Sequence, residues 1–299
     1  MTDLNGKIAV VTGATRGCGR AIAVELGARG ATVYVAGRTT RVRSSPMGRP
    51  ETIEDTAELV TAAGGHGVPV RCDFGVVSDV DALRDRVGDR VDVLVDDVWG
   101  GDRFIEWDKP YWESSLDKAL AQVHNAIDTH LIALHRLLPL VASRPGGLVI
   151  EVTDGDDDTY VGPTIPYYLA KSGVRAIGRA LGVELAKHDC TGLTVTPGFL
   201  RSEMMLDAFG VTEETWRDAV GTTAPVDFAV SETPRYVARG VAALATDPQV
   251  ARFAGQVLAS WTLMHTYGFT DIDGTRPDFG RWMKEVRGAG LEADPAGFR

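Results

Sequence analysis

Residues 8–12, Ile-Ala-Val-Val-Thr, form a short β-branched run that breaks directly into Gly13-Ala14-Thr15-Arg16-Gly17-Cys18-Gly19 and then into a helical pattern over 20–29. A second β-branched run follows at once over 32–36. Strand, glycine turn, helix and strand in this order open a βαβ unit, which commits the chain to a parallel sheet. Glycine lets the turn close tightly and lets a phosphate approach the backbone at the positive N-terminus of the helix. The glycines are spaced by three residues and then one, so the strand and helix around them carry the reading more than the spacing does.

The alternation continues. A polar loop over 38–51 leads to a helix over 52–63, a strand over 68–72, a helix over 77–87 and a strand over 91–95. A long helix over 114–140, a strand over 148–152, a helix over 167–187 and a strand over 193–196 complete the order. This is the pattern of an α/β protein with a doubly wound parallel sheet covered on both faces. With 299 residues, 44% of them hydrophobic, the chain can bury one sizeable core, and 1–299 reads as one domain. Residues 203–234 interrupt the alternation and read as a substrate lid, and 250–299 as a C-terminal extension.

A formal charge of -10 argues against a nucleic-acid partner, since Arg41, Arg43 and Arg49 make only a short basic stretch. Cys18, Cys72 and Cys190 are widely separated and match no metal spacing, which suits free thiols in a reducing cytoplasm. The first residues lack a signal-peptide pattern, and no apolar run approaches the ~18 residues of a membrane span. A cytoplasmic protein with a small-molecule partner is expected.

At the end of the second strand Ala36-Gly37-Arg38 offers no acid to hold a ribose 2′-hydroxyl. Arg38 suits a 2′-phosphate instead, and Arg16 in the glycine loop could grip the same group, so NADP(H) is the expected cofactor. Asp73, directly after the third strand, either meets the adenine ring or caps the following turn. Tyr167 and Lys171 lie four apart at helical spacing and share one face. There the ammonium favours the phenolate and brings the tyrosine toward useful acid/base range.

Thr12-Gly13-x-x-x-Gly17-x-Gly19, Asp73, Tyr167-x-x-x-Lys171 and Pro197-Gly198 followed by Ser202 together resemble the short-chain dehydrogenase/reductase family over nearly the whole chain. The tail segments 243–248, 255–258 and 267–274 are similar to the branch typified by dehydrogenase/reductase family member 1. The resemblance implies a Rossmann-type seven-stranded sheet and hydride transfer with a nicotinamide cofactor. It implies cofactor contacts from Gly13, Thr15, Arg16, Gly17, Cys18, Gly19, Arg38, Asp73, Asp97 and Val98, in addition to Tyr167 and Lys171. Pro197, Gly198, Phe199 and Leu200 would line the nicotinamide, with Ser202 near the pyrophosphate. Tyr167 would be the general acid/base, Lys171 would tune it and bind the nicotinamide ribose, and a substrate-binding serine falls at position 154. A homodimer or homotetramer formed through the helices of Ser114 and Tyr167 is also implied.

The chain departs from that pattern around one site. Position 154, thirteen before Tyr167, is Asp154. The Asn-Asn-Ala-Gly segment after the fourth strand is Asp96-Asp97-Val98-Trp99. The relay asparagine of the long helix has Asn125 as its nearest candidate, with His124 beside it. An ionised carboxylate cannot donate to a developing oxyanion as a serine does. Four routes remain open: a protonated Asp154 that donates, a hydroxyl supplied by Thr153, an ionised Asp154 that favours a cationic substrate, or Asp154 as a second acid/base.

Asp96, Asp97, Glu106, Asp108, Asp154 and Asp156-Asp157-Asp158 come from loops near the strands' carboxyl ends, as do Trp99, Trp107, Tyr111, Trp112 and Tyr160. Carboxylates interleaved with aromatics suit a cationic, ring-bearing ligand; a solvated acidic turn and ordinary tryptophan packing are the plainer alternatives. Trp99, Asp154, Tyr160 and Phe199 are the expected substrate contacts. His130 and His135, five apart on a helix without a partner at metal-ligand offset, read as packing or surface residues, and no metal is expected. The sequence favours an NADPH-dependent reductase of a C=O, C=N or conjugated C=C bond. The alternatives are a non-redox cyclase, isomerase or dehydratase using Asp154, or a cofactor-binding regulator without turnover.

Overall fold

The computed structural model describes residues 4–157 and 164–299. Seven strands form one parallel sheet: β1 (Ile8–Val11), β2 (Thr32–Gly37), β3 (His66–Arg71), β4 (Val93–Asp96), β5 (Leu148–Val152), β6 (Thr191–Thr196) and β7 (Val257–Ala259). Their order is β3-β2-β1-β4-β5-β6-β7. The winding therefore reverses between β1 and β4, which opens a crevice at the carboxyl ends of those strands.

Alternate strand residues feed two cores, as the period of two requires. Val11, Val35, Ile150 and Leu193 pack on one face with α1 (Gly17–Ala28), α2 (Ile53–Ala62) and α7 (Pro234–Ala245). Val10, Leu94 and Val149 pack on the other with α3 (Val77–Val87), α4 (Leu116–Val141) and α5 (Ile165–Glu184). Strand β3 begins at His66, earlier than the β-branched pattern suggests, because Gly67 lies where a Cβ would come within 2.1 Å of the Ala57 carbonyl of α2. Its Pro69 is tolerated because β3 is an edge strand.

Helix α5 starts two residues before Tyr167, with Thr164 as its cap and Pro166 in its first turn. After β6 the chain forms α6 (Glu203–Phe209), capped by Ser202, and after β7 it forms α8 (Ser260–Tyr267) and α9 (Phe279–Trp282). The tail thus folds back over the sheet's carboxyl ends. Among the described residues no helix is long and apolar enough to cross a membrane, and Cys18, Cys72 and Cys190 are buried free thiols.

Candidate active-site cleft

A cleft of ≈ 1610 Å³ opens where six strands end, lined by Gly13, Arg38, Asp73, Asp97, Asp154 and Gly198 from the turns that follow β1 to β6. Gly13 has φ +63 and sits where a Cβ would lie 2.2 Å from the Asp97 carbonyl, so the loop closes only with glycine. Gly17 has φ +57, a left-handed conformation that favours glycine, with nothing within 4 Å of its Cβ position.

Tyr167 and Asp154 meet across the cleft wall, the tyrosine hydroxyl donating to Asp154 Oδ2 at 2.7 Å. The ammonium of Lys171, one turn along α5, makes no hydrogen bond or ion pair among the described residues. Its ammonium rests 3.9 Å from the centre of the Trp99 ring and 5.4 Å from that of Tyr167. Trp99 in turn packs edge-on against Tyr167 with ring centroids 5.6 Å apart. Desolvation lowers the Lys171 pKa, countered first by Asp154 and then by Asp102 and Asp97. Thr153 lines the cleft but is largely buried, and its hydroxyl proton is committed to the Lys171 carbonyl at 3.0 Å. Asn125 lines the cleft, but its side-chain Nδ2 donates to Ala121 O at 2.7 Å and its backbone carbonyl accepts from Thr129 Oγ1 at 2.6 Å, so both groups are engaged within α4.

Past β4 the paired aspartates have separate lives. Asp97 lines the cleft, and desolvation pushes its carboxyl up to about 7 against the pull of Lys171 and His130. Gly19, expected among the cofactor contacts, does not line the cleft; it packs beneath, and its N–H donates to Asp97. Asp96 points away from the cleft into the core, accepting from Thr12 Oγ1 at 2.6 Å. There it meets His130 and Glu151, with His130 Nδ1 2.5 Å from Glu151 Oε2. His130 is therefore the centre of a buried charged cluster and not a packing or surface residue. Its partners are remote in sequence and close across β4, β5 and α4, a proximity that spacing along one helix cannot reveal. An acid inside the otherwise apolar Leu148–Val152 strand was the available signal.

At the other end of the cleft Arg38 makes no ion pair among the described residues. Arg16 is 3.8 Å from Glu51 and contacts the Met47 sulfur at 3.8 Å. Thr15, Cys18, Val98, Pro197, Leu200 and Ser202 all line the cleft where the sequence places them. Burial raises the Cys18 thiol well above its ordinary value, which keeps it protonated. Asp73 accepts from Gly75 N at 3.1 Å, so it shapes its turn while facing the cleft. Glu203, unforeseen from the sequence, accepts from Gly17 N at 3.0 Å. A carboxylate of α6 thus occupies the anion seat at the start of α1.

The wider part of the cleft is walled by Phe199, Met205, Phe209, Trp261, Phe279 and Met283. Phe199 was the named expectation, Met205 and Phe209 belong to the expected lid 203–234, and Trp261, Phe279 and Met283 come from the C-terminal extension. The acidic, aromatic surround expected from the loops is largely dispersed. Glu106 pairs with Lys109 at 2.9 Å and Lys118 at 3.5 Å, and with Tyr111 and Trp112 it lines a separate ≈ 330 Å³ hollow between α4 and α5. Asp108 is exposed. Asp97, Asp154, Asp156 and Asp157 remain as cleft carboxylates, with Trp107 at the rim. Tyr160 and Asp158 lie outside the described residues.

Fold and cleft together define a doubly wound α/β protein built to hold a dinucleotide at its switch point. The chain belongs to the short chain dehydrogenase family, whose model matches residues 7–209. It is 32% identical over 290 residues to the mouse dehydrogenase/reductase SDR family member 1, covering 92% of this chain and 86% of that protein. The human protein of the same name is 30% identical, covering 91% and 85%. Among solved structures, a short chain dehydrogenase homologue from Mycobacterium thermoresistibile superposes with TM-score 0.75 at 20% identity, covering 97% of this chain and 95% of that one.

Proposed function

We propose that this protein is an NADPH-dependent reductase of a C=O, C=N or conjugated C=C bond in a ring-containing metabolite. The observation that carries the reading is a pair of cations, Lys171 and Arg38, each without an acceptor among the described residues and both facing one cleft beside Tyr167. An unpaired, largely desolvated ammonium is costly unless a ligand completes it, and ribose hydroxyls beside Lys171 and a 2′-phosphate beside Arg38 would do so. The anion seat at the start of α1, where Gly17 N holds the Glu203 carboxylate, supports the same ligand, since a pyrophosphate would take that carboxylate's place. Family members use NAD(P)(H); bound NADPH would supply the hydride.

The protein's own part is to place and move a proton. Tyr167 holds it at Oη, and Asp154 Oδ2 accepts it in a hydrogen bond. A substrate carrying an iminium would be drawn to Asp154 and needs only hydride, whereas a neutral ketone or imine also takes the proton from Tyr167 Oη. The aromatic and methionine walls support an apolar, ring-bearing substrate body. The rival reading, a non-redox acid/base enzyme, uses the same Tyr167–Asp154 pair without hydride.

NADPH consumption by wild type, Asp154→Ser and Tyr167→Phe against a panel of ketones and imines, with NADPH binding followed by fluorescence, separates the two. Binding without oxidation by any variant or substrate defeats the reductase reading. We further propose a homo-oligomer. The exposed stripe Leu116, Leu120 and Leu131 on α4 beside Ile165, Leu169 and Val183 on α5 supports it. Light scattering on Leu120→Glu/Leu169→Glu should then show a smaller species than wild type.

A further inference from the structure

Asp96 and Glu151 are register partners on the neighbouring parallel strands β4 and β5, and both are fully buried. Strands in a sheet run about 4.8 Å apart, so two carboxylates placed this way repel strongly in a low-dielectric core. His130 of α4 is inserted between them, with Nδ1 2.5 Å from Glu151 Oε2 and 3.7 Å from Asp96 Oδ2. Its Nε2 is 3.0 Å from the Val98 carbonyl, which can only accept, so Nε2 carries a hydrogen. A hydrogen must also lie between Nδ1 and Glu151 Oε2, and two carboxylates facing the ring favour its residence on Nδ1, as an imidazolium.

One negative charge is thereby offset and one remains. Asp96 Oδ2 and Glu151 Oε1 are buried without a hydrogen-bond partner among the described residues. A second proton, held by this carboxyl pair, leaves the cluster neutral and removes the cost of a bare charge in the core. The cluster is tied to the cleft at two points. His130 holds Val98 O, and Thr12 Oγ1 links the two aspartates by donating to Asp96 Oδ1 at 2.6 Å and accepting from Asp97 N at 3.0 Å. The next residue, Trp99, carries the Lys171 ammonium on its ring.

We propose that Asp96, His130 and Glu151 form a buried two-proton latch that fixes the Val98–Trp99 wall, making them positioning residues for Lys171. The proposal rests on the reductase reading for what the wall serves. The ionisable groups facing the latch from neighbouring elements are Asp97 past β4 and the buried Cys72 thiol after β3, with neutral Thr12 from β1. Burial alone would depress the imidazolium, yet Asp96 and Glu151 hold the His130 pKa up at about 9. Burial also pushes Glu151 up to about 7, and Asp96 upward with it. The three ligand atoms lie within 4.8 Å of one another, so a divalent ion is the competing source of the two positive charges.

Histidine-ring NMR between pH 5.5 and 9.5, with His130 assigned by loss of its signal in His130→Gln/Glu151→Gln, tests the latch without any cofactor. His130 should stay doubly protonated above pH 8, and Glu151→Gln should lower its titration by a unit or more. In the binding arm, Glu151→Gln keeps the bond to Val98 and should hold NADPH within about threefold of wild type. His130→Gln/Glu151→Gln should weaken NADPH about tenfold or more with a similar melting temperature. Equal affinities in the two variants, a neutral His130 at pH 7, or one equivalent of divalent metal in the purified protein each overturns the proposal. A wild type that binds no NADPH at all defeats the reductase reading and the role given to the wall, while the NMR arm still decides whether the latch exists.

Discussion

The Tyr167 hydroxyl lies 2.7 Å from Asp154 Oδ2 and donates to it, so a proton that would face substrate in a serine-bearing site is directed at a carboxylate. Replacing Asp154 with serine frees that proton and restores an oxyanion donor. Asp154→Ser should therefore gain reduction of simple ketones, and lose preference for protonated imines, when both are assayed by NADPH absorbance at pH 7.

Tyr167→Phe removes the proton and leaves the Trp99 and Lys171 packing. Turnover should fall about 100-fold or more, the usual contribution of a general acid, while NADPH affinity from fluorescence titration stays within about threefold. A comparable loss of affinity would mean that the hydroxyl holds cofactor and does not serve chemistry.

Arg38 stands at the cleft wall beside Gly100, with no carboxylate to neutralise it among the described residues. Arg38→Asp should weaken NADPH by about 10- to 100-fold, corresponding to loss of a charge-assisted bond of ~1.5–3 kcal/mol, and leave NADH nearly unchanged. A wild type that prefers NADH removes the basis for the NADP assignment before any variant is made.

Glu203 holds the Gly17 N–H that a phosphate would need. Glu203→Gln removes the negative charge from that seat, worth ~0.3–1 kcal/mol at a helix N-terminus, so the unliganded protein competes less well with the ligand. NADPH should bind about two- to fivefold more tightly; weaker binding would show that Glu203 belongs to the bound state.

Stability should fall as pH rises from 6 to 9. His130 is held up at about 9, Asp97 and Glu151 at about 7 and Glu232 at about 8. All four bind protons more tightly folded than unfolded, where their values are near 6.5 for histidine and about 4 for carboxyls. Their contribution is complete below the unfolded values and is lost as pH climbs through the folded ones. The depressed carboxylates Glu106, Asp247 and Asp273, each at about 2, lose theirs only in acid, outside this window. Melting temperatures by differential scanning fluorimetry should be highest near pH 4–5 and fall from there toward 9; a flat profile from 6 to 9 would contradict the buried protons.

Local patterns made the scaffold readable. The run at Ile8, the glycine loop and the helix of Lys171 announce themselves within a few residues, and helix α3 and strand β5 fall on the expected boundaries. The site was legible only where a motif fixes position, as for Asp154 opposite Tyr167. Asp96, His130 and Glu151 were not, because their meeting depends on strand register and on which way α4 is turned. Glu106 and Trp112 misled for the opposite reason. They sit on a loop that leaves near the cleft and then packs outside it, where Lys109 and Lys118 neutralise the acid.

The contact between Glu203 and Gly17 also bears on order. The helix that carries Glu203 places Met204, Met205 and Phe209 along the wider part of the cleft. Any ligand that bonds to the Gly17 N–H must move that carboxylate, and so acts on the helix walling that wider part. Where two ligands act on one element their free energies are linked reciprocally, each changing the other's affinity by the same factor. One side chain thereby gives the two halves of the cleft a shared equilibrium, and equilibrium titrations of NADPH with and without substrate measure that factor directly.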